Sequence, residues 1–236
     1  MRIAWQNLAK TNATIAAPTE DSNYPVENLY HKWKKKRFQS TNTGAVLTIT
    51  WSADISVSCI GIAYHNLSGC SVVLKNSADA TLDTWTVPIT YQTDLYVDTE
   101  LTTVRSIVIT MTSASTLYLG GLFVGSYIEI DKEAGQDIPL SDTSNMTKSI
   151  GGQVAGRLGV TLRSGSITVP DLTVTQRKAF ESMQEDLQKI YPFWLDLWHS
   201  SHASFEPFYG HLTSGMGITK DNWQNTTVNF SIEEAN

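Results

Sequence analysis

From Ala45 to Trp51 the chain sets Leu47, Ile49 and Trp51 against Val46, Thr48 and Thr50. Successive side chains of an extended backbone point to opposite faces, so this period of two predicts a half-buried strand. Similar apolar runs predict strands at Ile60 to Tyr64, Ser71 to Leu74, Ser106 to Met111, and Tyr118 to Ile130 with a break at Gly120-Gly121. Polar groups such as Asn76-Ser77-Ala78-Asp79 lie between them and carry turn chemistry. Many short strands without an intervening helical period predict an antiparallel sandwich or jelly roll and argue against a βαβ fold.

The pattern changes after Ile130. The stretch from Asp131 to Ser149 is polar and rich in structure breakers, which marks a linker or an ordered arm or loop that pairs with a neighbouring subunit. Beyond it, Leu158 to Leu162 and Ser166 to Val169 predict a hairpin turning at Arg163-Ser164-Gly165, and Pro170 is expected to end the strand. Thr173-Val174-Thr175-Gln176 has the spacing of a capping box, with the Thr173 hydroxyl accepting from the Gln176 amide. Phe180, Met183, Leu187 and Ile190 then recur at three- and four-residue spacing, opposite Arg177, Lys178, Glu181, Glu185 and Asp186. This predicts one amphipathic helix, residues 173–190, lying on a sheet and stopped by Tyr191-Pro192. Aromatic runs at Phe193 to Trp198 and Phe205 to Leu212 follow, with a closing strand at Thr226 to Glu234. The expected organisation is a sandwich over 1–130, a linker or assembly arm over 131–148, and a β domain with one helix over 149–236.

Composition narrows the function. At 236 residues the chain is long enough for one large core or two small ones. A net charge of −6 gives no electrostatic reason to expect specific nucleic-acid binding. Charged residues make up only 17% while Ser and Thr are abundant, a balance that fits β-rich assembly and surface proteins. The start, Met1 to Asn7, has no continuous apolar core of a cleaved signal, and no stretch has the length of a membrane-spanning helix, so no membrane span is expected. Without a secretory route the Asn-x-Ser/Thr sequons, Asn12, Asn66, Asn145 and Asn225 among them, carry no weight. In a reducing cytoplasm Cys59 and Cys70 are expected as buried free thiols rather than a disulfide.

Several residues carry a resemblance. Tyr24-Pro25-Val26-Glu27-Asn28-Leu29, the following Trp33, a strand ending in Tyr64-His65-Asn66-Leu67-Ser68, and Leu117 to Gly125 resemble the discoidin-like β-sandwich near the N-terminus of bacteriophage tail-tip and minor tail proteins. The resemblance covers roughly the first half. One departure is Tyr30-His31 after Asn28-Leu29, where that family carries Asp-Gly, so no ligand or calcium role is carried over. The second half is similar in its order of elements to the sheet-plus-helix domain of phage tail-tube and distal-tail ring proteins. The resemblance implies a mainly β protein, with an N-terminal jelly-roll β-sandwich plus a C-terminal tail-tube-like β-sheet domain bearing one packed α-helix. It also implies a virion component made in the host cytoplasm, a distal-tail or tail-tip ring protein joining tube to tip or baseplate. Its partners would be its own copies in a hexameric or trimeric ring, together with tube, tape-measure, hub or fibre proteins.

Catalytic chemistry is thin. His199, His202, Glu206 and His211 form the best metal candidate, but their spacing matches no helical His-x-x-x-His arrangement, and loop histidines without a metal are the expectation. Asp196 and Glu206 are imaginable as a glycosidase pair, with nothing in the sequence to set their separation. There is no Gly-x-Ser-x-Gly, and Gly151 to Gly156 lacks the strand before and helix after that a nucleotide site requires. The expectation is a chain without enzymatic activity, cofactor or metal. The basic run Lys32 to Phe38 is expected as a solvated loop whose Trp33 and Phe38 plug the sandwich core. Contacts to phosphates, stacking on bases or sugars, or salt bridges to an acidic neighbouring subunit are the other readings of that run. The alternative to a ring protein is a receptor- or glycan-binding minor tail protein contacting a host surface glycan through Trp33, Tyr64, His65, Asn66 and Trp85. An enzyme degrading surface polysaccharide ranks third.

Overall fold

The protein is described by a computed structural model covering residues 1–30, 36–130, 135–137, 140–142, 145–148, 154–157, 161–188, 191–197, 207–220 and 226–235. Its contacts divide it into two units, Met1–Asp131 with Tyr191–Tyr209, and Lys132–Ile190 with Gly210–Asn236. The expected continuous domain over 149–236 is therefore interrupted: Tyr191–Tyr209 is built into the first unit. Among the described residues no helix is long and apolar enough to cross a membrane.

The first unit contains β1 (Arg2–Ala4), β2 (Ala13–Ala16), a 3-10 helix (Val26–Tyr30), β3 (Phe38–Gln39), β4 (Gly44–His65) and β5 (Leu67–Lys75). These are followed by β6 (Thr81–Val87), β7 (Thr93–Ser113), β8 (Tyr118–Gly125) and β9 (Ile128–Glu129). The two apolar runs expected as separate strands at Ala45 and Ile60 are one strand, β4. It stays paired to β7 through register shifts between Thr50 and Ile55 and between Val57 and Cys59. Such irregularities bend a strand. Before the bend, β4 pairs with β2 and with Ser106 to Thr112 of β7; after it, with β8 and with Thr93 to Val97. β5 pairs β7, and β6 pairs β5. Leu47, Ile49, Val72, Leu74 and Ile109 from one set of rungs share a single buried cluster with Ile60, Ile62, Leu122 and Val124 from the other. One bent sheet thus closes over one core as a β-sandwich.

Residues 57–65 are buried without interruption, which means that β4 is covered on both faces there. Ile60 and Ile62 enter the core, while Cys59, Gly61 and Ala63 alternate with them on the opposite side. That other side is covered from later in the chain: Trp194 lies against Gly61, Tyr209 against Gly121, and the strand Phe193–Asp196 pairs antiparallel with β1. The expected break at Gly120-Gly121 is absent, because β8 runs through both glycines. A Cβ at Gly120 would lie 2.9 Å from Tyr64 Cβ, and one at Gly121 would lie 3.1 Å from the Tyr209 hydroxyl. The glycines mark close approach of a neighbour, not a turn.

In the second unit the strands are β10 (Gly135–Asp137), β11 (Leu140–Asp142), β12 (Asn145–Lys148), β13 (Val154–Arg157) and β14 (Thr161–Leu172). After the helix α1 (Val174–Leu187) and the strand β15 (Phe193–Asp196) of the first unit come β16 (Phe208–Leu212), which belongs to the second unit from Gly210 on, β17 (Gly217–Lys220) and β18 (Thr226–Glu234). Within the stretch expected as linker or arm, β10 and β11 pair with β14 of their own chain, and β12 pairs with β13. The hairpin expected at Arg163-Ser164-Gly165 does not form. Ser164 and Gly165 sit in register with Glu233 and Ile232 of β18, so long-range pairing holds extended what local turn chemistry would bend. Nor does Pro170 end the strand: β14 continues to Leu172 across a register shift, with Asp171 at a positive φ of 55°. β18 also pairs with β16 and β17.

The helix α1 starts as expected. Thr173 is its N-cap, and the reciprocal Thr173–Gln176 capping box is formed. It ends at Leu187, earlier than expected, because Gln188 adopts a left-handed conformation and its N–H bonds back to the Gln184 carbonyl. Phe180, Met183 and Leu187 are buried, with the Phe180 ring 5.8 Å from Phe230 of β18. Ile190 lies outside the described residues. The protein is mainly β, a sandwich plus a sheet unit carrying one packed helix.

Candidate functional site

The residues singled out from sequence are held for structural work. Trp85 is only 1% exposed; its indole N–H donates to the Asp83 carboxylate at 2.8 Å, and its ring lies 5.3 Å from that of Tyr96. Tyr64 is 8% exposed, adopts a positive φ of 54°, and meets Tyr209 edge to face at 5.8 Å. Neither ring is free to stack on a sugar. Trp33, the remaining aromatic candidate, lies outside the described residues, as do Lys32, Lys34, Lys35, His199, His202 and Glu206. Among the described residues no three His, Cys, Asp or Glu side chains converge as a metal site.

His65 is buried beside Asp94, which is also buried. The His65 Nδ1 accepts from the Leu67 amide at 3.2 Å, so in the neutral ring the proton sits on Nε2. That nitrogen lies 3.3 Å from Asp94 Oδ2, within ion-pair reach but without the alignment of a directed hydrogen bond. The Asp94 carboxylate also accepts from the amides of Thr90 and Tyr91, and the Tyr64 amide donates to the Gln92 carbonyl at 2.6 Å. Together these contacts fasten the 90–94 segment to the end of β4.

Asn66 has a similar role on the other side. Its amide nitrogen donates to Ser115 Oγ and to the Thr116 carbonyl at 3.0 and 2.9 Å, and its side-chain oxygen accepts from the Tyr118 amide at 2.9 Å. Both donors and the acceptor are engaged, leaving Asn66 as a clamp that sets where β8 begins with Tyr118.

Tyr118 belongs to a surface cluster that the sequence reading passed over. The hub is Gln39. It pairs with Tyr118 across the β3–β8 ladder, its amide donates to the Tyr24 carbonyl at 3.0 Å, and its carbonyl accepts from the Asp21 amide at 2.9 Å. Phe38, completely buried, anchors this short strand in the core, as expected for the plug of the basic run. Alternation then turns Arg37 and Gln39 away from the core. The Arg37 carbonyl accepts from Asn28 Nδ2 at 3.0 Å, which fixes the backbone that carries the guanidinium. Its Cζ lies 4.5 Å from the Tyr118 ring centroid and 5.8 Å from that of Tyr24. Each such cation–π contact contributes about 0.5–1 kcal/mol where exposed. Tyr24 is 37% exposed. A planar cation between two tyrosine rings offers hydrogen-bond donors and apolar ring surface side by side. The sequence signal was present in the outward positions flanking inward Phe38, but the pairing that brings Tyr24 and Tyr118 together is long-range.

No protein-family model matches the sequence, and no curated protein matches it. Solved structures similar to part of the chain include a Streptococcus pneumoniae fucose-binding module, at 14% identity and a TM-score of 0.43 over 51% of this chain and 95% of that one. A family 32 carbohydrate-binding module from C. perfringens in complex with galactose matches at 13% identity and a TM-score of 0.44, over 54% of this chain and 100% of that one. A Ruminococcus gnavus GH29 fucosidase in complex with fucose matches at 16% identity and a TM-score of 0.46, over 52% of this chain and 27% of that one.

Proposed function

We propose that this chain is a receptor- or glycan-binding minor tail protein of a bacteriophage, an adhesin module without enzymatic activity. The observation that carries the binding role is the Tyr24–Arg37–Tyr118 cluster, where two rings and a guanidinium meet on a short strand anchored by buried Phe38. Sugar recognition needs such a pairing, with ring faces for the apolar C–H side of a pyranose and fixed donors for its oxygens. The phage context and the virion location rest on the resemblance carried by Tyr24 to Leu29 and Leu117 to Gly125. A specific observation favours a second reading, the distal-tail ring component: Trp85 and Tyr64, two rings a lectin would expose, are spent on the interior. In that reading the sandwich is architectural and copies of the chain assemble with tube, hub or fibre proteins.

Screening the full chain on a glycan array, with electron microscopy of the same preparation, separates the two. Saturable binding that is lost in a folded Tyr24→Ala chain is the expected result. Closed rings together with an empty array would replace the adhesin by the ring protein.

A further inference from the structure

We infer that the Tyr24–Arg37–Tyr118 cluster takes a carboxylate-bearing sugar, a uronic or sialic acid residue of an acidic glycan, with the carboxylate on Arg37. The assignment rests on the glycan-binding reading and goes one step beyond it. The guanidinium carbon lies over both rings, 4.5 and 5.8 Å from their centroids, contacts that engage its charge without using its N–H groups as directed donors, so those donors remain for a ligand. Among the described residues no carboxylate forms an ion pair with Arg37, although nearby acids exist. Those acids are engaged elsewhere: Glu20 accepts from the Val26 amide at 3.1 Å, and Asp21 Oδ1 accepts from the Asn23 amide at 2.8 Å. Four arginines provide the contrast: Arg2, Arg105, Arg163 and Arg177 each pair with a carboxylate of this chain, whereas Arg37 pairs with none among the described residues.

Carboxylate geometry matches a guanidinium edge bidentately, which a neutral sugar hydroxyl does not. The local charge is suitable in a chain that is acidic overall, since Lys32, Lys34, Lys35 and Lys36 immediately precede Arg37 in sequence. A lysine cluster alone would attract any anion, sulfate included. The cluster of rings around one fixed guanidinium adds shape to charge, and selects a planar carboxylate attached to a ring with an apolar face.

The test is calorimetric titration of the full chain with a uronate oligosaccharide, a neutral oligosaccharide of equal length and a sulfated one. The uronate is expected to bind at least tenfold tighter than either of the others. Arg37→Gln should remove that preference, Arg37→Lys should restore part of it, and Lys36→Gln should change uronate affinity less than threefold. Unfolding midpoints of all three variants establish that each is folded, and the lysine variant keeps the cation should glutamine destabilise the strand. Equal affinity for neutral and uronate chains, unchanged in Arg37→Gln, would overturn the carboxylate assignment and leave glycan binding standing. Sulfated and uronate chains bound equally, with Lys36→Gln as damaging as Arg37→Gln, would also overturn it in favour of plain charge attraction. No binding of any oligosaccharide would overturn both the assignment and the reading beneath it.

Discussion

At Gly61 there is no room for a side chain: a Cβ built there would meet Trp194 Cε2 at 2.6 Å and Nε1 at 2.8 Å. The indole has little freedom to retreat, since its ring is 4.0 Å from Tyr209 and 5.5 Å from Phe123. Gly61→Ala is therefore expected to destabilise the first unit by about 1–3 kcal/mol, the usual cost of overpacking, read as a lower urea midpoint with native-like tryptophan emission lost early. The two thiols give a pH signature. Burial pushes the Cys59 thiol far above its ordinary value of 9.0, and burial with the nearby Asp94 charge pushes Cys70 up to about 12. Above pH 9 the unfolded chain loses these protons while the folded chain keeps them, so fewer protons are bound when unfolded and stability falls as pH rises. The contribution is whole below pH 9 and is lost progressively from there toward 12 and beyond. Native protein at pH 8 should resist iodoacetamide at both sites and react at both in urea. Replacing both cysteines by alanine should flatten part of the decline between pH 9 and 11. Rapid alkylation of the folded chain at either cysteine would contradict this.

Among the elements, α1 is the clearest case of a local code that survives folding. Its capping box needs only Thr173 and Gln176, three residues apart, and its buried face needs only the helical period of Phe180, Met183 and Leu187. Leu187→Ala should cost about 2–5 kcal/mol, as truncation of a fully buried leucine does. Thr173→Ala should cost about 0.5–2 kcal/mol through the lost cap. Both are measured as changes in the chemical unfolding of the full chain; a loss below about 0.5 kcal/mol for Leu187→Ala would contradict its burial against the sheet. β14 is the opposite case. Arg163-Ser164-Gly165 and Pro170 are local signals for turning and stopping, and the ladder with β18 overrides both. β4 shows a third behaviour: the alternation of its first half is legible, whereas burial of both faces over 57–65 depends on a segment more than a hundred residues away.

At the scale of the whole molecule, the first unit is not one continuous piece of chain. Met1–Asp131 is completed by Tyr191–Tyr209, which brings Phe193, Trp194, Leu195, Phe208 and Tyr209, all buried. A chain ending at Asp131 would leave Phe123 and the small residues Gly61 and Gly121 without Trp194 and Tyr209. It is expected to unfold at a markedly lower denaturant concentration than the full chain, and a peptide spanning 191–209 added in trans should raise its midpoint. An unchanged midpoint without the peptide would show that the returning segment contributes nothing to the sandwich.

Local pattern carries the mainly β character, the inward faces of the strands at Leu47 and Ile49, and the helix with its cap. Each of these depends on residues a few positions apart, where period and capping chemistry act. Long-range pairing makes β4 one bent strand, sets neighbouring side chains against the glycines at 61, 120 and 121, and places Trp85 and Tyr64 in the interior. It also decided the Tyr24–Arg37–Tyr118 cluster. Those outcomes depend on which strands pair and in what register, a choice made by burial over the whole core, and no local pattern carries it.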